Sequence, residues 1–185
     1  MNITGTKGTI AKVNSSHQIE TKATEVSPMR AATERGDAFS WTSVTGNLAA
    51  LATGLLVANL SKTRPLVIQS LYVYSDVPTL LKVHVPAAAT WAGGTEVVGV
   101  NLNREMASIL PDAVAYRDEG GSTFAAANTI LTIATNEFAT DQFGVNIENL
   151  HNGAIILGYD DAIGVDIVAD GAAYEMTISG YYIDA

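Results

Sequence analysis

The chain has 185 residues, which fits one domain able to bury roughly 70% of the surface that its unfolded form exposes. It contains no cysteine, which excludes disulfide frameworks, thiolate zinc sites and cysteine nucleophiles. Its net charge of −9 and the lack of a basic stripe interleaved with aromatic residues disfavour nucleic-acid binding. No apolar run approaches the roughly 18 residues that span a membrane, and none follows Met1 as in an export signal, so we expect no membrane partner.

Residues 1–37 have a composition of their own. Thr, Ser, Ala, Lys and Glu dominate this segment, and Phe, Tyr and Trp are absent from it. So few large apolar groups cannot offset the entropy lost on ordering the chain, and the segment is predicted to be an extended N-terminal arm. Within the arm, the alternation in Gln18–Val26 suits a strand added to an existing sheet edge.

The arm also carries the opposite charge to the body of the protein. Residues 1–35 hold five basic and three acidic groups, a net charge of +2, whereas residues 36–185 hold five basic and 16 acidic groups, a net charge of −11. We therefore predict that the arm binds an acidic partner through its basic residues, which are Lys7, Lys12, Lys22, Arg30 and Arg35. A solvated tail is the alternative.

The body, residues 38–185, begins with Phe39 and Trp41 alternating with small polar residues. This alternation predicts a first strand with both aromatic rings directed inward. Apolar runs follow at Leu51–Leu60, Leu66–Ser75 and Leu80–Val85. The second of these is apolar on both faces and is predicted to be a central strand. Val97–Asn103 predicts another strand, and residues 104–127 are too mixed to assign.

In its last third the chain repeats short β-type runs separated by clusters of Gly, Asp and Asn. These runs are Asn128–Thr135, Gly153–Gly158, Ile163–Ala169 and Glu175–Ile183. About eight or nine strands without a repeat of fixed period predict an all-β fold, a single β-sandwich of the jelly-roll type. An immunoglobulin-like sandwich is the nearest competitor, although the chain lacks its Cys–Trp–Cys pattern.

The three histidines do not predict a metal site. His17, His84 and His151 are too scattered for zinc, since none lies within three to five residues of another histidine. His84 alternates with Val83 and Val85 and is predicted to be an outward-facing strand residue.

An oxygen-rich cluster is the other candidate for metal binding. Asp160, Asp161, Asp166 and Asp170 match no calcium-loop signature, and Asp166 lies within a predicted strand, so surface turns explain the cluster better. With no catalytic, cofactor or metal site predicted, we expect a protein that is not an enzyme.

The C-terminal residues bear on assembly. Tyr181, Tyr182 and Ile183 put apolar side chains where a monomer normally has polar ones. They are predicted to be oligomer contacts in a homo-oligomer, for which a trimer is favoured.

Several stretches of the body resemble small structural proteins of tailed-bacteriophage virions. They are Ala38–Ser43, Pro65–Ile68, Leu71–Val73, Val83–Pro86, Gly99–Arg104, Ile155–Gly158 and Thr177–Tyr182. The resemblance implies a virion protein, with a capsid decoration (cement) protein as the best-fitting role. It implies assembly in the host cytoplasm, with the major capsid protein or another virion protein as the partner, and it brings no catalytic residues with it.

Two other classes of function stay open. A tail, collar or baseplate and fibre-attachment protein could use the same sandwich. A carbohydrate-binding sandwich is the non-structural rival, since jelly rolls often hold sugars on aromatic platforms. Trp91 and Tyr116 are the aromatic residues predicted to be exposed for that purpose.

Overall fold

The computed structural model describes a defined set of ranges. They are residues 3–4, 10–13, 19–20, 26–48, 52–75, 79–85, 94–117, 129–135, 145–148, 155–168 and 172–184.

Within these ranges the chain forms mostly antiparallel β-strands. In chain order they are β1 (Ile3–Thr4), β2 (Ile10–Val13), β3 (Ile19–Glu20), β4 (Ala38–Leu48), β5 (Thr53–Asn59), β6 (Leu66–Ser75), β7 (Thr79–His84), β8 (Thr95–Glu96), β9 (Val100–Asn101), β10 (Ala113–Arg117), β11 (Thr129–Thr135), β12 (Val145–Glu148), β13 (Ile156–Leu157), β14 (Ala162–Ile167) and β15 (Ala172–Tyr182). An α-helix, α1 (Pro28–Arg35), precedes β4, and a 3₁₀ helix covers Arg104–Met106.

The strands of the body form two six-stranded antiparallel sheets in the described ranges. Sheet I has the order β12-β6-β15-β4-β9, with β13 also paired to β6, and sheet II has the order β11-β7-β14-β5-β10-β8. The last strand, β15, lies between β4 and β6, so that Ile178 is opposite both Trp41 and Leu71. Among the described strands, β1-β2-β3 form a separate three-stranded sheet that pairs with neither of the two.

The core lies between sheets I and II because successive strand residues alternate between the two faces of a sheet. Its largest fully buried side chains include Trp41, Tyr174, Tyr182, Phe39 and Leu55. The Phe39 ring packs edge-on against Tyr182, with ring centroids 5.9 Å apart. Trp41 is 0% exposed and Phe39 1%, so the inward direction predicted for both rings is confirmed.

The predicted all-β fold is confirmed. The position of Leu66–Ser75 is also as predicted, since β6 has strands on both sides. The strand predicted over Val97–Asn103 is reduced to the two residues of β9. The predicted stretch instead crosses from sheet II to sheet I. The N–H of Val97 donates to the carbonyl oxygen of Ala115 in β10, whereas the N–H of Leu102 donates to the carbonyl oxygen of Ala38 in β4.

The expectation of an extended chain up to residue 37 is wrong for Pro28–Arg35, which form α1. The Ser27 hydroxyl accepts a hydrogen bond from the N–H of Arg30, and proline occupies the first helical position. Gly36 ends the helix with φ = 79°, a left-handed conformation that glycine adopts without steric cost. These end signals fix a helix of only eight residues.

No helix in the described part of the chain has the length and apolar character needed to cross a membrane.

Candidate functional site

The arm residues that were predicted to bind a partner divide into two groups. Lys7 and Lys22 lie outside the described residues. Lys12 belongs to β2 and is opposite Glu20 of β3 in the register of the small sheet. The Gln18–Val26 segment contributes only Ile19–Glu20 as a described strand, and this strand pairs with β2.

Arg30 and Arg35 lie on α1 and form ion pairs within the chain. Arg30 Nε is 3.1 Å from Glu34 Oε1, and Arg35 Nε is 3.1 Å from Asp37 Oδ2. Both arginine side chains are at least half exposed, so the ion pairs are screened by water and contribute little to stability. Their contact with a partner stays a prediction.

Helix α1 packs on one end of sheet I through a small apolar cluster. Ala32, which is fully buried, contacts Ala38, Val67 and Tyr181, and the partly buried Met29 and Ile183 complete the cluster. The helix therefore packs on the folded body.

Arg64 joins this end of the sheet to two loops. Its Nη1 is 2.9 Å from Asp37 Oδ1, and its Nη2 is 3.3 Å from Asp112 Oδ2. Its guanidinium also lies over the Tyr182 ring, 4.6 Å from the ring centroid. One side chain thus holds together the C-terminal end of α1, the loop before β10 and the last strand.

The prediction that Tyr181 and Tyr182 present apolar surface for oligomer contacts is wrong. Tyr181 is 8% exposed and Tyr182 is 1% exposed, because the first packs under α1 and the second enters the core between the sheets. Ile183 is partly buried against the α1 cluster. The apolar C-terminus is therefore covered by the chain itself, and the oligomeric state remains a prediction without this support.

Burial also changes the acidity of the Tyr182 phenol. Desolvation, with the Asp112 carboxylate adding to it and Arg64 opposing it, raises the pKa of Tyr182 above its usual range. The phenol is therefore neutral at physiological pH.

A polar network is buried on the outer face of sheet II. Nε2 of His84 is 3.0 Å from Oδ2 of Asp166, and Nδ1 of His84 is 3.1 Å from Oγ1 of Thr129. The Thr53 hydroxyl donates to Oδ1 of Asp166 at 2.8 Å. His84 occupies the face opposite the core residues Val83 and Leu81, as predicted, but it is only 1% exposed.

The four side chains come from four different strands, β5, β7, β11 and β14. Burial, with the nearby Lys82 ammonium adding to it, holds the pKa of His84 below its usual range.

This chain of hydroxyl, imidazole and carboxylate resembles a nucleophile relay in its order, and its geometry gives it a structural role. His84 is 1% exposed and Asp166 is 2% exposed, so a substrate cannot reach the imidazole without opening the sheet face. One hydrogen bond joins Thr53 of β5 to Asp166 of β14, and another joins Thr129 of β11 to His84 of β7. In the sequence, the buried network is indicated by one feature, the position of Asp166 within the apolar run Ile163–Ala169.

The other aspartates predicted to lie in turns do so where they are described. Asp160 has φ = 66°, and Asp161 accepts a hydrogen bond from the N–H of Gly158 at 2.9 Å. Asp170 lies outside the described residues. The part of the chain that the structure describes holds no group of three or more His, Asp or Glu placed to bind one metal ion.

Of the two aromatic residues considered for sugar binding, the structure describes one. Trp91 lies outside the described ranges, as do His17 and His151, and Tyr116 of β10 is half-buried. Two other tyrosines, Tyr72 and Tyr74, lie on the outer face of sheet I, since the residues between and beside them, Leu71 and Val73, belong to the core.

Comparison with family models, with curated proteins and with solved structures finds no match to this chain.

Proposed function

We propose that the protein is a structural virion protein of a tailed bacteriophage. In this proposal it is a capsid decoration protein that binds the assembled head through its N-terminal segment and through contacts between copies. The resemblance of its β-strand segments to such proteins is the starting point, and two features of the fold support it.

The first supporting feature is the strand order, from which we propose a jelly-roll topology. Eight of the strands, four from each sheet, face each other. Four neighbouring strands of sheet I have the order β12-β6-β15-β4, and four neighbouring strands of sheet II have the order β11-β7-β14-β5. The first of these eight strands along the chain, β4, is the neighbour of the last, β15, as in a jelly roll built from two Greek keys. Strands β8, β9 and β10 are then an insertion between β7 and β11. Jelly rolls are frequent in viral capsid and lectin domains, which is an argument from analogy.

The second feature carries the functional proposal: the small sheet β1-β2-β3 pairs with neither sheet of the body. The body is closed at this end by α1, so the preceding residues are not required to complete its core. A segment that has its own strands and a basic balance suits attachment to an acidic neighbour.

Attachment of this kind stabilises a shell by mass action. A protein that binds the assembled lattice and not the free subunits shifts the equilibrium toward the lattice. Weak contacts by several linked copies add through avidity, so each arm need not bind tightly. Binding to a tail or collar would use the same physics, and the location of the protein on the particle distinguishes the two.

The test is co-sedimentation with phage particles that lack the protein. The full chain is expected to bind the heads, and a chain that starts at Val26 is expected to stay folded and to lose binding. Replacing Lys7, Lys12, Lys22, Arg30 and Arg35 with Gln is expected to weaken binding moderately and to reduce its salt dependence, since exposed charges are screened over about 10 Å at 0.1 M salt. Normal decoration by the shortened chain would refute the role of the arm.

Immunogold labelling of intact particles gives the location. Label on the head supports the decoration role, and label confined to the tail or neck overturns it in favour of a tail or collar protein.

Carbohydrate binding is the second candidate, favoured by one surface. Tyr72 and Tyr74 lie beside rows of hydroxyl side chains on sheet I, in which Thr42 and Thr177 are 2.9 Å apart. Tyrosine rings can stack on sugars while hydroxyls bond to them. A glycan array probed with the wild-type chain and with the double variant Tyr72→Ala, Tyr74→Ala tests this. Binding that the variant loses would favour this candidate, and no binding by the wild type would exclude it for the arrayed glycans.

A further inference from the structure

An exposed apolar patch lies at the β9 side of sheet I. Five large apolar side chains within the segment 98–110 are exposed: Val98 by 68%, Val100 by 47%, Leu102 by 38%, Ile109 by 45% and Leu110 by 68%. Val44 of the neighbouring strand β4 is exposed by 55%. We call these six residues the β9 patch.

The members of the β9 patch are neighbours in the fold. Val100 is opposite Ser40 in the pairing of β9 with β4, and alternate residues on both strands share one face. The exposed Val98, Val100 and Leu102 alternate with the buried Gly99 and Asn101 and point away from the core, as does Val44, four positions along β4 from Ser40. The Ile109 side chain lies against Gly36, and Pro111 lies against Gly99, so the loop after the 3₁₀ helix returns along β9.

Other parts of the chain contact β9. Asn101 of β9 is only 2% exposed, and its side-chain amide donates to the carbonyl oxygen of Gly36 at 2.8 Å. The loop that returns along β9 already lies against Gly99, the residue before this strand, through Pro111. The patch presents apolar side chains, so we expect a partner to bind by packing an apolar face against it.

The size of the patch matches one half of a stable protein interface. Six side chains of this type, each about half exposed, present on the order of 500 Å² of apolar surface, near the upper limit for the largest patch on a monomer. A standard interface buries about 800 Å² on each partner, a little over half of it apolar. The patch with a polar rim supplies that amount.

The charges at the ends of the patch select a second copy of the chain as the partner. Residues 97–103 contain no charged side chain, whereas the exposed Glu96 precedes them and the exposed Arg104 follows them. When two identical patches meet about a two-fold axis that runs across segment 97–103, the two segments are antiparallel. The Glu96 end of one copy then meets the Arg104 end of the other, twice, and the apolar residues between them are complementary to themselves.

We infer that the protein forms a two-fold dimer through the β9 patch, with Glu96 and Arg104 paired across the interface. The inference goes beyond the proposed function, because the dimer forms in solution without a particle. It also assigns the contacts between copies to a surface other than the C-terminal tyrosines.

The experiment is sedimentation velocity on the full chain between about 1 and 200 μM, the range in which interfaces of modest affinity dissociate. The wild type is expected to convert from monomer to dimer within this range or to be a dimer throughout. Val98→Lys is expected to raise the dissociation constant by about tenfold or more, since it buries an unpaired charge.

The matched control is Ile156→Lys, which alters an apolar residue of β13 that is exposed by 52% and lies outside the patch. It is expected to leave the dissociation constant unchanged. Thermal unfolding of both variants checks that they fold. A monomeric or trimeric wild type overturns the inference, as does a Val98→Lys variant that dimerises normally.

A charge exchange tests the two-fold arrangement itself. Glu96→Arg and Arg104→Glu are each expected to weaken the dimer by placing like charges together. The double variant is expected to restore most of the lost affinity, because every pair is again of opposite sign. Additive losses in the double variant would overturn the antiparallel arrangement.

Discussion

At the scale of single residues, the burial of the His84 imidazole makes the stability of the fold sensitive to acid. The imidazole is buried and its pKa is held below that of an exposed histidine by desolvation and by Lys82. The unfolded state therefore binds the proton more readily than the folded state does. This contribution to stability is complete above about pH 6.5, the usual histidine pKa, and is lost as the pH falls below it.

We expect the free energy of unfolding to decrease as the pH falls from 7 to 5, in a range where carboxylates still titrate little. Urea unfolding at several pH values measures it, with His17→Gln and His151→Gln as controls for the other two histidines. Both controls should keep the decrease, and His84→Gln should remove it. Stability that rises toward pH 5 would mean that the Asp166 carboxylate dominates and raises the pKa of His84.

Trp41 tests the packing between the sheets. It is fully buried and contacts both Phe39 and the strand β9 region at Gly99. Trp41→Ala should lower the free energy of unfolding by about 3–5 kcal/mol, because it removes a large side chain and leaves a cavity. Chemical denaturation gives the value. A loss below about 1 kcal/mol would contradict the core position of the ring.

Gly180 tests a close approach of two strands. A Cβ atom at this position would lie 2.6 Å from the carbonyl oxygen of Val67, and a backbone atom cannot move away as a flexible side chain can. The site coincides with a register shift between β15 and β6. Gly180→Ala should therefore destabilise the fold by about 1–3 kcal/mol, the range for an overpacked core site.

Ser179→Ala is the matched control for Gly180→Ala, since its hydroxyl makes only a part-buried contact of 3.2 Å with Ser40. It should change the free energy of unfolding by about 1 kcal/mol or less. Equal effects of the two substitutions would show that the strand tolerates a Cβ at position 180.

At the scale of elements, helix α1 covers one end of sheet I. It covers Val67 and Tyr181, and the residue that follows it, Asp37, pairs with Arg64. A chain that starts at Val26 should unfold at nearly the same denaturant concentration as the full chain. A chain that starts at Ala38 should be markedly less stable, because it exposes this cluster and leaves Arg64 with one carboxylate partner fewer.

Circular dichroism during denaturation compares the two shortened chains. Equal stability of both would show that α1 contributes nothing to the body. Loss of folding in the longer one would show that residues 1–25 belong to the body after all.

The elements that the sequence predicts well are those with a local signal. Alternation at Phe39 and Trp41 gives both the strand and its inward face, since strand periodicity needs no distant partner. The end signals of α1, Ser27-Pro28 and Gly36, were equally local, but eight residues are too few for a convincing amphipathic period. Such a helix is stable only on the sheet that it covers.

The contacts that escape sequence reasoning join distant positions. Thr53 and Asp166 are 113 positions apart, and the local sequence around either residue does not predict that the two side chains form a hydrogen bond. The burial of Tyr181 likewise depends on α1, which lies at the other end of the chain. Apolar side chains at the C-terminus predict that other residues bury them. They do not show whether those residues belong to the same chain or to a second copy.

At the scale of the whole molecule, the two ends of the body meet at the centre of sheet I. Strand β15 pairs with β4 along nine register positions from Ala172 to Tyr181 and with β6 on its other side. Without β15, the strands β4 and β6 have no common neighbour, and Trp41 loses the strand beside it.

Removal of residues 172–185 should therefore abolish folding of the entire body, although these residues lie at one end of the sequence. Far-ultraviolet circular dichroism and dispersion of amide NMR signals measure this. Removal of the single residue Ala185, which lies beyond β15, is the control and should leave the fold intact. A folded chain that lacks β15 would show that sheet I can close in another way.

The central place of β15 also sets the order of events during synthesis. The paired hydroxyls of Thr42 and Thr177 lie 135 positions apart. At a synthesis rate of about 5–20 residues per second, β4 waits roughly 7–27 s for its main partner. During this interval its apolar face is open to chaperones and to aggregation. A chain that is cut short before β15 never closes sheet I, so only copies synthesised through residue 182 can reach a folded state.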